Sequence, residues 1–305
     1  MDTMKTAFLF AGQGSQYIGM GKDLYVNYEY VREMYDKASN ILGYDITKIC
    51  FIENNNLNTT LYTQPAILIT SCAIYEVIKT ELNIVPDVVA GFSLGEYSAL
   101  YAAGVFNFND VINLINKRAF YMDEASKANP GSMAAIIGLD RDVLSKICNQ
   151  VGDCVIANYN SPNQLVISGK NDAINSVCVL AKENGAKRAI PLNVSGGFHS
   201  FLMHEAAVQM ENEIKKIDYK KPIIDIIMNC NALPLDIEKV PQLLKTQIES
   251  SVYWEDTIHY MINNYHIENF IEIGPGNVLS GLMKKIDSKK ISYSINKIEE
   301  INLLK

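Results

Sequence analysis

The sequence is short of histidine and tryptophan and has no paired cysteines, and each shortage narrows what the chain can do. Its six cysteines, Cys50, Cys72, Cys148, Cys154, Cys178 and Cys230, contain no C-x-x-C pair and no zinc-type spacing. That sets aside a disulfide scaffold and a cysteine-held metal. Most have apolar neighbours, as in Ser71-Cys72-Ala73-Ile74, and read as reduced core thiols. Long apolar runs are missing too: no stretch approaches a membrane span, and Ala7 to Ala11 is shorter than the apolar region of a signal peptide. A cytoplasmic protein with no membrane partner is the expectation. Basic residues are outnumbered, 27 Lys+Arg against 34 Asp+Glu for a net charge of −7 and a pI near 5.2. This balance argues against nucleic acid or an anionic membrane as the main partner.

What is present is a chain of 305 residues, 48% hydrophobic and 20% charged, enough to bury an extensive core in one large domain with room for a smaller second one. Thr6 to Ala11 reads as a buried strand closed by Gly12-Gln13-Gly14, and Val85 to Gly91 as a short strand running into Gly91-Phe92-Ser93-Leu94-Gly95. Gln64 to Lys79 is a long apolar segment with Pro65 suited to a first helical turn. Glu96 to Ala103 reads as helix, stopped by Gly104. Strand, glycine turn and helix in this order predict an α/β domain with a parallel sheet.

The rhythm changes in the middle. Ser132 to Gly138 reads as strand, Arg141 to Gln150 as helix, Cys154 to Tyr159 and Gln164 to Ser168 as strands, Asp172 to Glu183 as helix, and Lys187 to Asn193 as strand. The order β-α-β-β-α-β is that of a ferredoxin-like unit. It predicts an insert at 128–198 within a catalytic domain made of 1–127 and 199–305.

Ser93 lies in G-x-S-x-G at the strand-to-helix turn, the pattern of a nucleophile elbow, in which cramped glycine backbone thrusts the serine oxygen out at the end of the strand. The pentapeptide alone is also compatible with an inert serine turn; its placement between VPDVVAG and EYSALYAAG carries the reading. A serine needs a base, and the chain has four histidines. His204 and His259 fall in ordinary helical patterns and His266 in a polar connection, whereas His199 lies in the glycine-rich bend Ser195 to Ser200 at the predicted domain junction. It is the candidate general base. On the helix Asp110 to Ala125, Arg118 shares a stripe with Val111, Leu114, Ile115 and Met122. A buried guanidinium needs an anion, either an acidic side chain of the protein or the carboxylate of a substrate. The turn Gly12-Gln13-Gly14 offers backbone N–H groups to an oxyanion or phosphate, a weak signal by itself. Gly274-Pro275-Gly276 is weaker still.

Taken together, FAGQGSQYIGMG, TQPAI at Thr63, GFSLGEYSAL around Ser93, KRAFYM around Arg118, NYNSPNQLVISG at Asn158, SGGFHS around His199 and IEIGPGNVLSGLMKK at Ile271 resemble the malonyl-CoA:acyl carrier protein transacylase family along nearly the whole chain. The resemblance implies an α/β-hydrolase-like core with a parallel sheet and an inserted ferredoxin-like subdomain. It also implies malonyl transfer for fatty-acid synthesis, with malonyl-CoA and holo acyl carrier protein as the partners and with no metal and no cofactor: coenzyme A is the substrate's carrier, and phosphopantetheine belongs to the partner. Ser93 would be acylated and His199 its base. The backbone N–H groups of Gln13 and Leu94 would form the oxyanion hole, and Arg118 would bind the malonyl carboxylate, with Gln64 and Met122 lining the pocket. The carbonyl of Gln247 would orient the histidine. Phe198, beside that histidine, would crowd an α-methyl branch and favour malonyl over methylmalonyl.

The chain departs from the family pattern at two places. Phe92 stands where the family usually has histidine, and Ser250-Ser251 where it usually has Asn-Pro. Competing readings are an acyl-editing hydrolase or trans-acting acyltransferase of a polyketide pathway, and a silent carrier-binding subunit. A true α/β-hydrolase places an acid between serine and histidine in sequence; Asp140, Asp153 and Asp172 are available there, but all fall in the predicted insert. Nothing in the sequence demands more than a monomer.

Overall fold

The computed structural model describes residues 4–302 and residue 304. Among them, strands β1 (Thr6–Phe10), β2 (Val88–Gly91), β3 (Ser132–Ile137), β4 (Cys154–Ser161), β5 (Gln164–Gly169), β6 (Arg188–Pro191), β7 (Asp225–Ile226), β8 (Asn269–Ile273) and β9 (Ile291–Ile295) form two sheets. The larger is ordered β7-β2-β1-β8-β9, and every neighbouring pair is parallel. A parallel sheet is covered on both faces, so its strands read as continuous apolar runs, and β1 shows why. Phe8 and Phe10 point into the core shared with helix Thr60–Leu82, while Ala7 and Leu9 point the other way, toward Trp254 and Phe270.

Three expectations change here. The expectation that no stretch approaches a membrane span does not hold for helix Thr60–Leu82, which is long and apolar enough to cross one by length and composition alone, with a mean hydropathy of 1.2 over its most apolar stretch. That stretch is 83% buried inside the protein, so the helix is apolar all round because it runs through the core. The same helix starts earlier than the apolar pattern, which places Pro65 inside it instead of in its first turn. Its polar opening is held by Thr63, whose Oγ1 donates to the carbonyls of Leu57 and Thr59, bonds invisible to a search for apolar periodicity. β2 is likewise shorter than Val85 to Gly91, because Pro86 has no N–H for the ladder.

The second sheet is antiparallel, ordered β4-β5-β3-β6, the arrangement of a ferredoxin-like unit. Helices Arg141–Val151 and Asn171–Glu183 cover one face, packing on Ala134, Ile136, Leu165 and Ile167. The opposite face turns Met133, Ala135 and Val166 toward the large domain, where they form one wall of a cleft of about 220 Å³. The fold class is thus the one expected, a parallel α/β core carrying a ferredoxin-like unit. All six cysteines are free thiols, and four are buried.

Candidate active site

The cleft opens at the carboxyl ends of β1 and β2, where the chain turns sharply into helix Gly95–Ala102. The two glycines of the turn are required by proximity: a Cβ on Gly91 would strike the Gly95 carbonyl, and one on Gly95 would strike the carbonyl of Phe10. Between them Ser93 takes a left-handed conformation, φ 53°, which costs a non-glycine residue free energy and persists only where the surroundings impose it. His199 is also left-handed, φ 56°. These two strained residues face each other, His199 Nε2 lying 2.7 Å from Ser93 Oγ.

The other ring nitrogen of His199, Nδ1, is 2.8 Å from the carbonyl of Gln247. A carbonyl only accepts, so Nδ1 carries the proton and Nε2 is left to accept from the serine hydroxyl. Burial, with the nearby Arg118 charge adding to it, pushes the imidazole pKa down to about 4. The ring is therefore neutral at physiological pH, the form a base requires.

Arg118 is 1% exposed on helix Phe108–Ala128. Its Nη1 donates to Gln64 Oε1 at 2.5 Å, and its Nη2 donates to Ser93 Oγ and to Gln247 Oε1, each at 3.1 Å. The guanidinium also lies 5.6 Å from the centre of the Tyr97 ring, a cation–π contact. No acidic side chain among the described residues lies within ion-pair distance of it. The acidic partner that the sequence left open is absent from its contacts, and the cation is held by neutral amides and a ring.

Of the other residues read from the resemblance, Gln13, Leu94, Met122 and Phe198 border the cleft. Gln64 does not; it is fully buried behind Arg118, with Nε2 donating to Thr60 Oγ1 at 2.9 Å. The N–H groups of Gln13 and Leu94 have no acceptor among the described residues. The orientation of the Leu94 N–H follows from the carbonyl of the same peptide. Ser93 O accepts from Gln247 Nε2 at 2.5 Å and from Glu96 N at 3.1 Å; the peptide is trans, so its N–H points the opposite way. Gln247 therefore touches Ser93, His199 and Arg118 with three different atoms. Beyond it, Ser251 Oγ donates to Ile156 O, and Val252 exchanges backbone bonds with Ala157 and Tyr159 of β4. Phe92 packs edge-on against Trp254, ring centres 5.3 Å apart, and borders the cleft.

Two residues that no sequence pattern marked stand behind the turn. Asn229 lies at its inner side, far away in the chain. Glu96, fully buried, was visible only as an acid in an otherwise apolar helix start. Burial pushes the Glu96 carboxyl up to about 8, so it is largely protonated at neutral pH and is no formal counter-ion for Arg118. A carboxyl whose pKa is higher folded than unfolded favours folding most below the unfolded value near 4.5, and that contribution is lost as pH rises toward 8. Glu96→Gln cannot ionise. It should raise the melting temperature relative to the unaltered protein more at pH 9 than at pH 5, and an equal shift at both would show that Glu96 does not titrate in this window.

A serine, a neutral imidazole, two free N–H groups and an uncompensated cation can together run acyl transfer from a donor that carries a carboxylate. Comparison with known proteins agrees. Residues 7–290 match the family model described as acyl transferase domain. The Malonyl CoA-acyl carrier protein transacylase of Bacillus subtilis (strain 168) is 42% identical, the match covering 98% of this chain and 96% of that protein. The crystal structure of MCAT from Streptococcus pneumoniae superposes with a TM-score of 0.94 at 42% identity, covering 98% of this chain and 99% of that one. A type II PKS acyl-carrier protein in complex with its malonyl-transacylase gives a TM-score of 0.94 at 35% identity, each chain covered to 98%. The chain belongs to the malonyl CoA-acyl carrier protein transacylase family.

Proposed function

We propose that the protein moves a malonyl group from coenzyme A to the phosphopantetheine thiol of an acyl carrier protein, through a malonyl ester on Ser93. The observation that carries this reading is the convergence on one oxygen: Ser93 Oγ is 2.7 Å from a neutral histidine nitrogen and 3.1 Å from a buried, unpaired guanidinium. His199 takes the serine proton as Oγ attacks the thioester carbonyl. The carbonyl π pair moves onto oxygen, facing the N–H groups of Gln13 and Leu94. As the intermediate collapses, the C–S bond breaks and His199 returns the proton to the departing sulfur of coenzyme A. The carrier's thiol then runs the same steps in reverse on the acyl-serine, giving ping-pong kinetics. Arg118 holds the malonyl carboxylate, with Gln64 and Met122 shaping its surroundings. The Gln247 carbonyl keeps the histidine tautomer.

In this reading the protein's own side chains and backbone groups supply all the chemistry and no resident cofactor is needed. Residues 1–127 and 199–305 form the catalytic body, and 128–198 the insert that closes the cleft. Six free thiols suit the reducing cytoplasm. The hydrolase alternative is disfavoured because His199 Nδ1 faces a carbonyl instead of a carboxylate.

The test is the intact mass after brief exposure to malonyl-, methylmalonyl- or acetyl-CoA, and again after adding holo carrier protein. A malonyl adduct on Ser93, forming faster than the other two and discharged onto the carrier, is the expected result. An adduct lost to water regardless of carrier would make the protein a hydrolase. No adduct at all would point to a site silenced by Phe92 or to a different acyl donor. Faster labelling by methylmalonyl-CoA would remove the role given to Phe198.

A further inference from the structure

Ser93 keeps its left-handed backbone in a turn closed locally by Gly95 N donating to Phe92 O at 2.9 Å, and further bonds that hold it come from a distant segment. Asn229 is completely buried in the loop that follows β7. Its side-chain amide spans the turn: Oδ1 accepts from Ser93 N at 2.7 Å, and Nδ2 donates to Gly91 O at 2.6 Å. Its own backbone is gripped at both ends, N–H donating to Glu96 Oε1 at 2.7 Å and carbonyl accepting from Tyr253 N at 3.0 Å. Such a bridge does more than satisfy buried peptide groups. By drawing the Ser93 N–H inward it sets the peptide plane on the near side of the serine, as Gln247 sets the far side.

We propose that Asn229, braced by Glu96, is a positioning residue for the nucleophile, holding Ser93 in the one backbone conformation that aims Oγ at His199 and leaves the Leu94 N–H free for the oxyanion. This deepens the acyl-serine reading above and rests on it. Misplacing a nucleophile by about 1 Å costs on the order of 10²-fold in rate, with no reason for substrate affinity to change. The titratable or charged groups around Asn229 are Glu96 on the helix, Cys230 beside it in the chain, and Arg118 and His199 across the elbow.

Asn229→Asp separates positioning from simple structural support. When ionised, aspartate still accepts from Ser93 N but sets a second oxygen against Gly91 O; when protonated, it reproduces the donor and acceptor of asparagine. The measurement is the single-turnover rate of Ser93 acylation by malonyl-CoA, in protein shown to be folded by circular dichroism, relative to the unaltered protein at each pH. Expected is a loss of about 10²-fold at pH 8, with KM within a few fold, recovering toward the unaltered rate at pH 5.5. Asn229→Ala, the second variant, should show the loss without the recovery. Folded variants that acylate within about threefold of the unaltered protein at both pH values, while only their melting temperatures fall, would overturn the positioning role alone. Absence of a Ser93 adduct in the unaltered protein would overturn the acyl-serine reading and this proposal with it.

Discussion

Replacing Arg118 with alanine should lower malonyl transfer by about 10²–10⁴-fold while acetyl transfer falls less than about tenfold. The range follows from two charge-assisted hydrogen bonds to a carboxylate, worth about 1.5–3 kcal/mol each. The guanidinium is positioned to make them because nothing else neutralises it: its contacts are Gln64, Gln247, Ser93 and the face of Tyr97. Acetyl-CoA has no carboxylate to lose. The alanine variant also strands the amide oxygens of Gln64 and Gln247, so it should melt earlier, and rates have to be compared per folded molecule. Arg118→Lys offers a point charge that cannot span both amides, and it should recover only part of the malonyl rate. Steady-state rates with both donors decide the matter, and equal losses for malonyl and acetyl would remove the carboxylate-binding role.

His199→Ala should cost about 10²–10⁴-fold in acylation, the usual worth of a positioned base. A finer result is expected from pH. Burial and then the Arg118 charge hold the imidazole near 4, and the neutral ring is the active form, so kcat/KM for malonyl-CoA should stay level well below pH 6.5 before falling. A bound malonyl carboxylate cancels the Arg118 charge, which removes one of the two influences that depress the imidazole. The acid limb of kcat, which reports the loaded enzyme, should therefore lie above that of kcat/KM. Profiles from pH 4 to 8 would show it. Limbs that coincide at pH 6.5 would mean that the ring is solvated and does not feel Arg118.

The three residues that meet in the cleft were legible because each broke a local pattern. Ser93 sits between glycines at the end of an apolar strand, His199 is a histidine in a glycine bend, and Arg118 is a charge on an apolar stripe. The antiparallel β4-β5-β3-β6 unit announced itself through element order. Asn229 and the side-chain amide of Gln247 were not legible, since what makes them matter is contact with a turn 136 and 154 residues away. Nothing in Met228-Asn229-Cys230-Asn231 differs from an ordinary polar loop. The placement of Gln64 behind Arg118 was hidden for a related reason: helical spacing tells which residues share a face but not which of them a longer neighbour covers. Helix Thr60–Leu82 was legible only from Gln64 onward, because its polar first turn carries no apolar periodicity and is held by hydrogen bonds that spacing does not show.

The sheet order sets a timetable for synthesis. β1 is its middle strand, yet one of its two neighbours, β8, pairs with it 263 residues later, Thr6 against Asn269. At about 5–20 residues per second, that partner emerges roughly 10–50 seconds after the first strand. Throughout this interval one edge of Thr-Ala-Phe-Leu-Phe stays open, with two phenylalanines on one face, a template for pairing with any other extended chain. Helix Thr60–Leu82 and β2 arrive early enough to shelter the Phe8 and Phe10 face and the other edge. The β8 edge has no substitute. Newly made chains should therefore depend on factors that shield nascent segments until the last hundred residues are in place, and faults late in the sequence should surface as aggregation seeded at its beginning.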